Sequence, residues 1–319
     1  MLSGLQIPDN DRVLVDFRTS DDAGVYQWDD KSALVQTVDF ITPIIDDPLL
    51  YGQIAAANAL SDVYAMGGQP LTALAIAGFP KKGLDSEVRK AIFKGGLTKL
   101  REANVALLGG HTVQDSEIKF GYSITGSIDV DRVLTNTNAQ PGDNLLLTKP
   151  IGTGIVATAI KYGRAPESVI ASTTGLMTTL NRLAAETLRA YSTTDVHACT
   201  DVTGFGLIGH ASEMAAASNV TIHIDSTAVP LIEGVRELVE RNRTAGGSAN
   251  QDHFGSRVND GIDDDLLALL YDPQTSGGLL VAVNHDRSPE VTQRLKSAGV
   301  SATKIGEVAS QSDMLVSIS

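Results

Sequence analysis

Short apolar runs, alternating or continuous, predict strands over residues 13–17, 33–38, 71–79, 105–108 and 120–130. The second of these ends at Asp39. Two helices are expected between the strands. One covers 53–66, is rich in alanine and is stopped by Gly67-Gly68; the other covers 86–103, with Asp85 or Ser86 as cap and Glu87 in the first turn. The turn-rich stretch 136–142 sets a lobe boundary, giving an N-terminal lobe of residues 1–142 and a C-terminal lobe of residues 143–319. In the second lobe, strands are expected over 144–148, 196–199, 220–224, 279–283 and 314–318. A stripe of Leu176, Leu180, Leu183, Ala184, Leu188 and Tyr191 predicts one amphipathic helix over 176–191, and further helices are expected over 232–241 and 289–298. Residues 244–261, polar and rich in Gly and Asn, predict a mobile excursion. The sum is an α+β fold in two lobes.

The length of 319 residues exceeds the roughly 250–300 at which one core stops growing, in agreement with two lobes. A hydrophobic content of 42% with 20% charged residues is that of a globular chain and argues against a wholly disordered or coiled-coil one. Lys and Arg number 25 and Asp and Glu 38, so the formal charge is 25 − 38 = −13. That excess argues against a nucleic-acid partner and a polybasic membrane surface. It leaves phosphate ligands open, because carboxylates hold phosphates through magnesium. Cys199 is the only cysteine, so no disulfide within the chain and no cysteine-based zinc cage is possible. No apolar run approaches the roughly 18 residues of a membrane span. Residues 1–6 lack the basic and long apolar regions of a signal peptide, and a cytoplasmic location is expected.

The chemistry concentrates in carboxylates at strand ends and on one helix. Asp21-Asp22 lies in a loop between two strands; two adjacent carboxylates repel, so the pair is either solvated or bound to cations. Asp39 at its strand end is a ligand group or a cap. Asn58 and Asp62, four apart, share one helix face among small residues. A buried, unpaired Asp62 would be costly, which favours a cation or strong donors beside it. Gly109-Gly110-His111-Thr112 follows a strand, and its glycines are an anion-binding turn or a plain strand-to-loop turn. The stretches Thr200-Asp201-Val202-Thr203-Gly204-Phe205-Gly206 and Asp272-Pro273-Gln274-Thr275-Ser276-Gly277-Gly278 have the local form of caps and turns. No G-x-x-x-x-G-K-[ST] loop is present. Gly152-Thr153-Gly154 is expected to be a tight turn before a helix, with phosphate contact the alternative. Cys199, His197 and His210 are expected to be structural.

Taken in order, Ser20-Asp21-Asp22-Ala23-Gly24-Val25-Tyr26, Thr37-Val38-Asp39-Phe40, the 58–68 segment, Gly109-Gly110-His111-Thr112 and the Thr200 and Asp272 stretches resemble the selenophosphate synthetases (selenide, water dikinases). The early acidic motifs are similar to those of aminoimidazole ribonucleotide synthetase, thiamine-monophosphate kinase and a hydrogenase maturation factor. The two later stretches together point to the selenium enzyme. The resemblance implies a two-lobe aminoimidazole-ribonucleotide-synthetase-like α+β fold, with the N-terminal sheet paired to its twin in a homodimer. It implies the conversion of ATP, selenide and water to selenophosphate, phosphate and AMP. By resemblance, Asp22, Asp62 and Asp201 match the magnesium ligands. Thr19, Ser20, Asp21 and Asp39 match nucleotide contacts, and Asn58 a phosphate or metal neighbour. Gly110, His111 and Thr112 match an ATP contact reached from the partner subunit. ATP, Mg2+, selenide and a second copy of the chain are therefore expected as ligands and partners, with no nucleic acid and no membrane. The family's glycine-rich segment with a cysteine or selenocysteine and a nearby lysine has no counterpart here. A truncated form without the family's catalytic groups is expected, and Cys199 does not replace them. The alternatives are an ADP-forming kinase or synthetase of the same superfamily and a non-catalytic ATP-binding relative.

Overall fold

The computed structural model describes residues 9–319, so the reading of residues 1–6 lies outside the described residues. The N-terminal part holds β1 (Val13–Val15), β2 (Gly24–Gln27), β3 (Ser32–Ile41), α1 (Pro48–Ala65), β4 (Gln69–Phe79), α2 (Ser86–Glu102), β5 (Ala106–Gln114) and β6 (Lys119–Asp129). Its six-stranded sheet runs β1-β2-β3-β6-β4-β5, antiparallel except for β4 beside β5. Alternation gives the sheet two unlike faces. Ala33, Val35, Ala73, Ala75, Ala77, Phe120, Tyr122 and Ile124 are buried with α1 and α2. The intervening Val38, Phe40 and Leu74 are 60%, 49% and 48% exposed, and Leu108 on the edge strand 66%. The small residues of α1 permit very close packing. A Cβ on Gly52 would stand 1.9 Å from the Ile92 carbonyl oxygen, and one on Gly95 the same distance from that of Leu49. The α1–α2 contact is thus backbone against backbone.

The second part holds β7 (Asn144–Leu147), α3 (Thr153–Lys161), α4 (Glu167–Thr178), α5 (Arg182–Leu188), β8 (Val196–Asp201), α6 (Gly206–Ser218), β9 (Val220–Ile224), α7 (Val239–Asn242), α8 (Ala245–Phe254), β10 (Val258–Asp260), α9 (Asp264–Tyr271), β11 (Leu279–Val283), α10 (Ser288–Ser297), β12 (Thr303–Ser310) and β13 (Val316–Ile318). Its sheet runs β10-β13-β9-β12-β7-β11-β8. Here both faces are covered, so β7 and β11 are buried throughout and apolar but for Asn144. Leu145, Leu147, Leu280 and Ala282 pack with α6 and α9. Leu146, Leu279, Val281 and Val283 face the other way, toward α5 and α10.

Four expectations are corrected. The helix expected over 176–191 is broken at residues 179–181, where Thr179 takes an extended conformation and tertiary bonds replace the helical ones. The helix expected over 232–241 is reduced to a 3-10 turn, Arg236–Leu238, and the short α7. The stretch 244–261 is ordered: Thr244 caps α8, and Asn250 donates to the carbonyls of Gly204 and Tyr271, both at 3.0 Å. Gly109-Gly110-His111-Thr112 is no turn but the middle of β5, hydrogen-bonded to β4. No helix of the described residues is long and apolar enough to cross a membrane.

Candidate active site

The site begins with two rungs between β3 and α1. Thr37 and Asp39, two apart on a strand, lie about 6.6 Å apart along it; Asn58 and Asp62, four apart on a helix, about 6 Å. The repeats match, and the side chains pair one to one. Thr37 donates its hydroxyl to Asp62 Oδ2, and Asn58 Nδ2 donates to Asp39 Oδ2. The pairing is possible because both strand residues lie on the face that α1 covers.

Two further carboxylates complete the cluster. Thr200 and Asp201 end β8, and the Thr200 hydroxyl donates to Asp22 Oδ1 at 2.7 Å. Burial pushes Asp22 and Asp62 well above the ordinary carboxylate range, and the negative charge of Asp201 adds to the effect on both. Burial raises Asp201 to about 6, against the Ser61 hydroxyl, which favours its charged form. The Oδ2 atoms of Asp22 and Asp201 are buried and accept no hydrogen bond. Orphaned carboxylate oxygens in mutual repulsion fit a cation. Among the described residues, however, no three His, Cys, Asp or Glu side chains form a group able to hold a metal ion by themselves. Outer ligands, water or phosphate, would have to complete any such shell, as magnesium commonly requires.

The adjoining loop is fixed by its own bonds. Thr19 donates to Asp21 Oδ2 at 2.6 Å; Asn136 donates its N–H to Asp21 Oδ1 at 2.7 Å and its amide to the Ser20 carbonyl at 2.9 Å. Ser20 sits at φ +54°. The loop Asp272–Gly278 closes the other side. Its Ser276 N–H donates to Asn58 Oδ1 at 2.7 Å. Asp272 and Gln274 are caps: Asp272 Oδ2 accepts from Ile155 N at 3.0 Å, and Gln274 Oε1 from Gly152 N at 2.8 Å and Thr153 N at 3.0 Å. These acceptors fill the N-terminus of α3, where a phosphate would otherwise sit. A Cβ on Gly154 would come within 2.6 Å of Asp272 Oδ1, so the glycine is required by this close approach. The turn reading of Gly152-Thr153-Gly154 therefore describes the structure.

Asp21, Asp22, Asp39, Asn58, Asp62 and Asp201 are thus joined by direct bonds or mutual charge. Gly110, His111 and Thr112 are not. Two strands separate β5 from β3, about 14 Å at the usual strand spacing. Cys199 is buried, and burial pushes its thiol well above the ordinary value, the opposite of an activated nucleophile. His197 lies on Asp143 at 2.8 Å through Nδ1 and on the Thr194 carbonyl at 3.0 Å through Nε2; His210 Nε2 accepts the Thr203 N–H at 3.1 Å. Both are structural. Sequence reasoning missed Ser61, Lys149 and Asn181. Asn181 bridges the Ser61 hydroxyl and the Gly277 carbonyl, each at 2.8 Å, and Lys149 Nζ reaches the carbonyls of Thr179 and Ser276. Only a lysine ending an apolar strand hinted at the last.

Residues 20–128 match the AIR synthase related protein N-terminal domain, and residues 140–317 its C-terminal domain. Solved structures share the fold: thiamine-monophosphate kinase from Stenotrophomonas maltophilia K279a has a TM-score of 0.72 at 22% identity, covering 97% of this chain and 92% of that one. Hydrogenase maturation protein HypE in complex with ATP has a TM-score of 0.66 at 22% identity, covering 95% and 82%. Closer relatives appear among named proteins. The selenide, water dikinase of Pelobacter propionicus is 47% identical over 97% of this chain and 89% of its own length. That of Caldanaerobacter subterraneus subsp. tengcongensis is 45% identical over 92% and 85%, and that of Clostridioides difficile 43% over 98% and 91%. At such identity over nearly its whole length, the chain belongs to the selenide, water dikinase family.

Proposed function

We propose that the protein is an ATP-dependent enzyme that phosphorylates selenide to selenophosphate, with Asp22, Asp62 and Asp201 holding the magnesium that accompanies the nucleotide. The observation that carries the site is the buried carboxylate cluster itself, two of whose oxygens lack any partner. The hydroxyls of Thr37, Thr200 and Ser61 relieve only part of that repulsion, and a divalent cation with its phosphate ligands would relieve the rest. Bound magnesium would neutralise charge on the nucleotide and on the phosphoryl group in transfer.

The residues have separate tasks. Thr37 holds one carboxylate oxygen of Asp62 and Thr200 one of Asp22, each by a hydroxyl, and the other oxygen of Asp22 stays buried without a hydrogen-bond partner. Asn58 keeps its amide on Asp39 and its carbonyl on Ser276, a fixed polar wall beside the acids. Thr19, Ser20 and Asp21 are the nucleotide-contacting loop, supported by the bonds that tie them to Asn136. Gly110, His111 and Thr112 serve the nucleotide of a second copy. What supports this is their distance from their own cluster and the apolar face beside them, with Val38, Phe40, Leu74 and Leu108 exposed. The reading therefore includes a homodimer through the N-terminal sheet and the lobes 1–142 and 143–319, which correspond to the two sheets. It also includes a cytoplasmic location.

An anaerobic phosphorus NMR time course with ATP, magnesium and selenide tests the activity. Selenophosphate with AMP is expected. ADP as the only nucleotide product would move the chain to an ADP-forming kinase or synthetase. Saturable ATP binding without turnover, also after a native upstream segment carrying the family's catalytic groups is added, would make it a binding protein.

A further inference from the structure

Lys149 is the one lysine or arginine in the buried set among the described residues. A buried ammonium carries a large desolvation cost unless its hydrogen bonds are met. Here neither bonded partner is a carboxylate. Nζ donates to the main-chain carbonyl of Thr179 at 2.7 Å and to that of Ser276 at 2.9 Å. The first lies at the break between α4 and α5, the second in the loop before β11. Ser276 stands at φ +51°, a region a serine seldom occupies unless its surroundings hold it. Its carbonyl is held by Lys149 and its N–H by Asn58 Oδ1 at 2.7 Å. With Oδ1 so engaged, the Asn58 amide can present only Nδ2 to Asp39. Lys149, Ser276, Asn58 and Asp39 form one continuous chain of bonds from the C-terminal sheet to the acid cluster.

We propose that Lys149 is a positioning residue for the phosphate end of the site, acting through Ser276 to set the Asn58 amide. The proposal rests on the ATP-binding reading above. It is tested by a double-mutant cycle of Lys149→Met and Asn58→Ala, read by calorimetric titration with magnesium and a non-hydrolysable ATP analogue, with melting curves for each variant. Each single change is expected to weaken binding about tenfold, the loss of one hydrogen bond to a charged group. If the two act through one chain, the double variant stays near about tenfold; independent effects would multiply to about a hundredfold. Multiplication overturns the positioning role and leaves the site reading intact. An unchanged affinity in Asn58→Ala overturns the reading of Asn58 itself, and the proposal with it. Lys149→Gln keeps amide donors without the charge and is expected to recover most of the affinity; binding as weak as in Lys149→Met would assign the effect to charge instead of the tether. Where the methionine variant does not fold, Lys149→Gln is read by itself and with Asn58→Ala: an affinity near the wild type is expected of the single change, and a loss of about tenfold that multiplies with that of Asn58→Ala overturns the positioning role.

Discussion

The Thr200 hydroxyl donates to Asp22 Oδ1 at 2.7 Å, and it is the one side-chain hydrogen bond found on a carboxylate whose other oxygen has none. The bond joins a strand of the second sheet to a loop of the first. Thr200→Val keeps the shape and removes the donor, leaving a buried carboxylate with neither oxygen satisfied. Folding stability without metal is expected to fall by about 1–3 kcal/mol, the cost of an orphaned buried group. Denaturant titration in chelator measures it, and an unchanged midpoint would show that Asp22 is already protonated or solvated there.

Asp62→Asn separates the cost of the cluster from its use. The charge of Asp201 raises the proton affinity of Asp62, so removing the Asp62 charge relieves repulsion. The variant is expected to melt no lower than the wild type in chelator. Magnesium-dependent ATP binding is expected to weaken by about tenfold or more, as for a lost charged ligand group. Calorimetry that shows equal affinity would remove Asp62 from the proposed magnesium ligands.

Much of this arrangement was legible in the chain, because period and chemistry coincide on its elements. The four-residue spacing of Asn58 and Asp62 fixes a shared helix face, and the apolar run before Asp39 places that carboxylate on a strand. The pairing of Thr37 with Asp62 was not legible, since it depends on how α1 lies across β3. The break at residues 179–181 was hidden for a similar reason. The stripe through Leu176, Leu180 and Leu188 is continuous, and only the tertiary pull of Lys149 and Asn181 interrupts the backbone. The glycines of β5 misled in the other direction: Gly109 and Gly110 have the form of a turn but lie in a hydrogen-bonded edge strand.

The acid cluster also predicts a pH dependence. Asp201 is raised from 3.8 to about 6, chiefly by burial, so the folded state binds more protons than the unfolded state in that window. Stability without metal is then expected to fall as pH rises from about 4 to about 6, because the unfolded chain gives up its proton first. Lys149, lowered to about 7, acts in a separate window: above about 7 the neutral amine that burial favours forms first in the folded state, and its contribution rises with pH. Melting temperatures in chelator across this range read the sign, and Asp201→Asn is expected to flatten the acid limb. His210, lowered to about 4 by burial, adds a rise with pH over the same window, so the test is the difference between the two proteins: an acid limb of equal slope in the wild type and Asp201→Asn would contradict the raised Asp201.

The open face of the N-terminal sheet gives the last prediction. Val38 and Phe40 sit on β3 with 60% and 49% of their surface exposed, and Leu74 on β4 is 48% exposed across Ser123 of β6. A lone exposed valine needs no partner, but several large apolar side chains exposed on one sheet face favour an interface. Val38→Lys with Phe40→Lys leaves the helix-covered core untouched, because alternation puts both side chains on the opposite face. Facing copies would then meet with buried like charges. If the proposed homodimer forms, the wild type is expected to sediment as a dimer and the variant as a monomer. Because His111 belongs in the proposal to the neighbouring copy's nucleotide, magnesium-dependent ATP binding should fall together with dimerisation. A monomeric variant that binds ATP as tightly as the wild type would confine the nucleotide site to one chain and leave Gly110, His111 and Thr112 without a role in it.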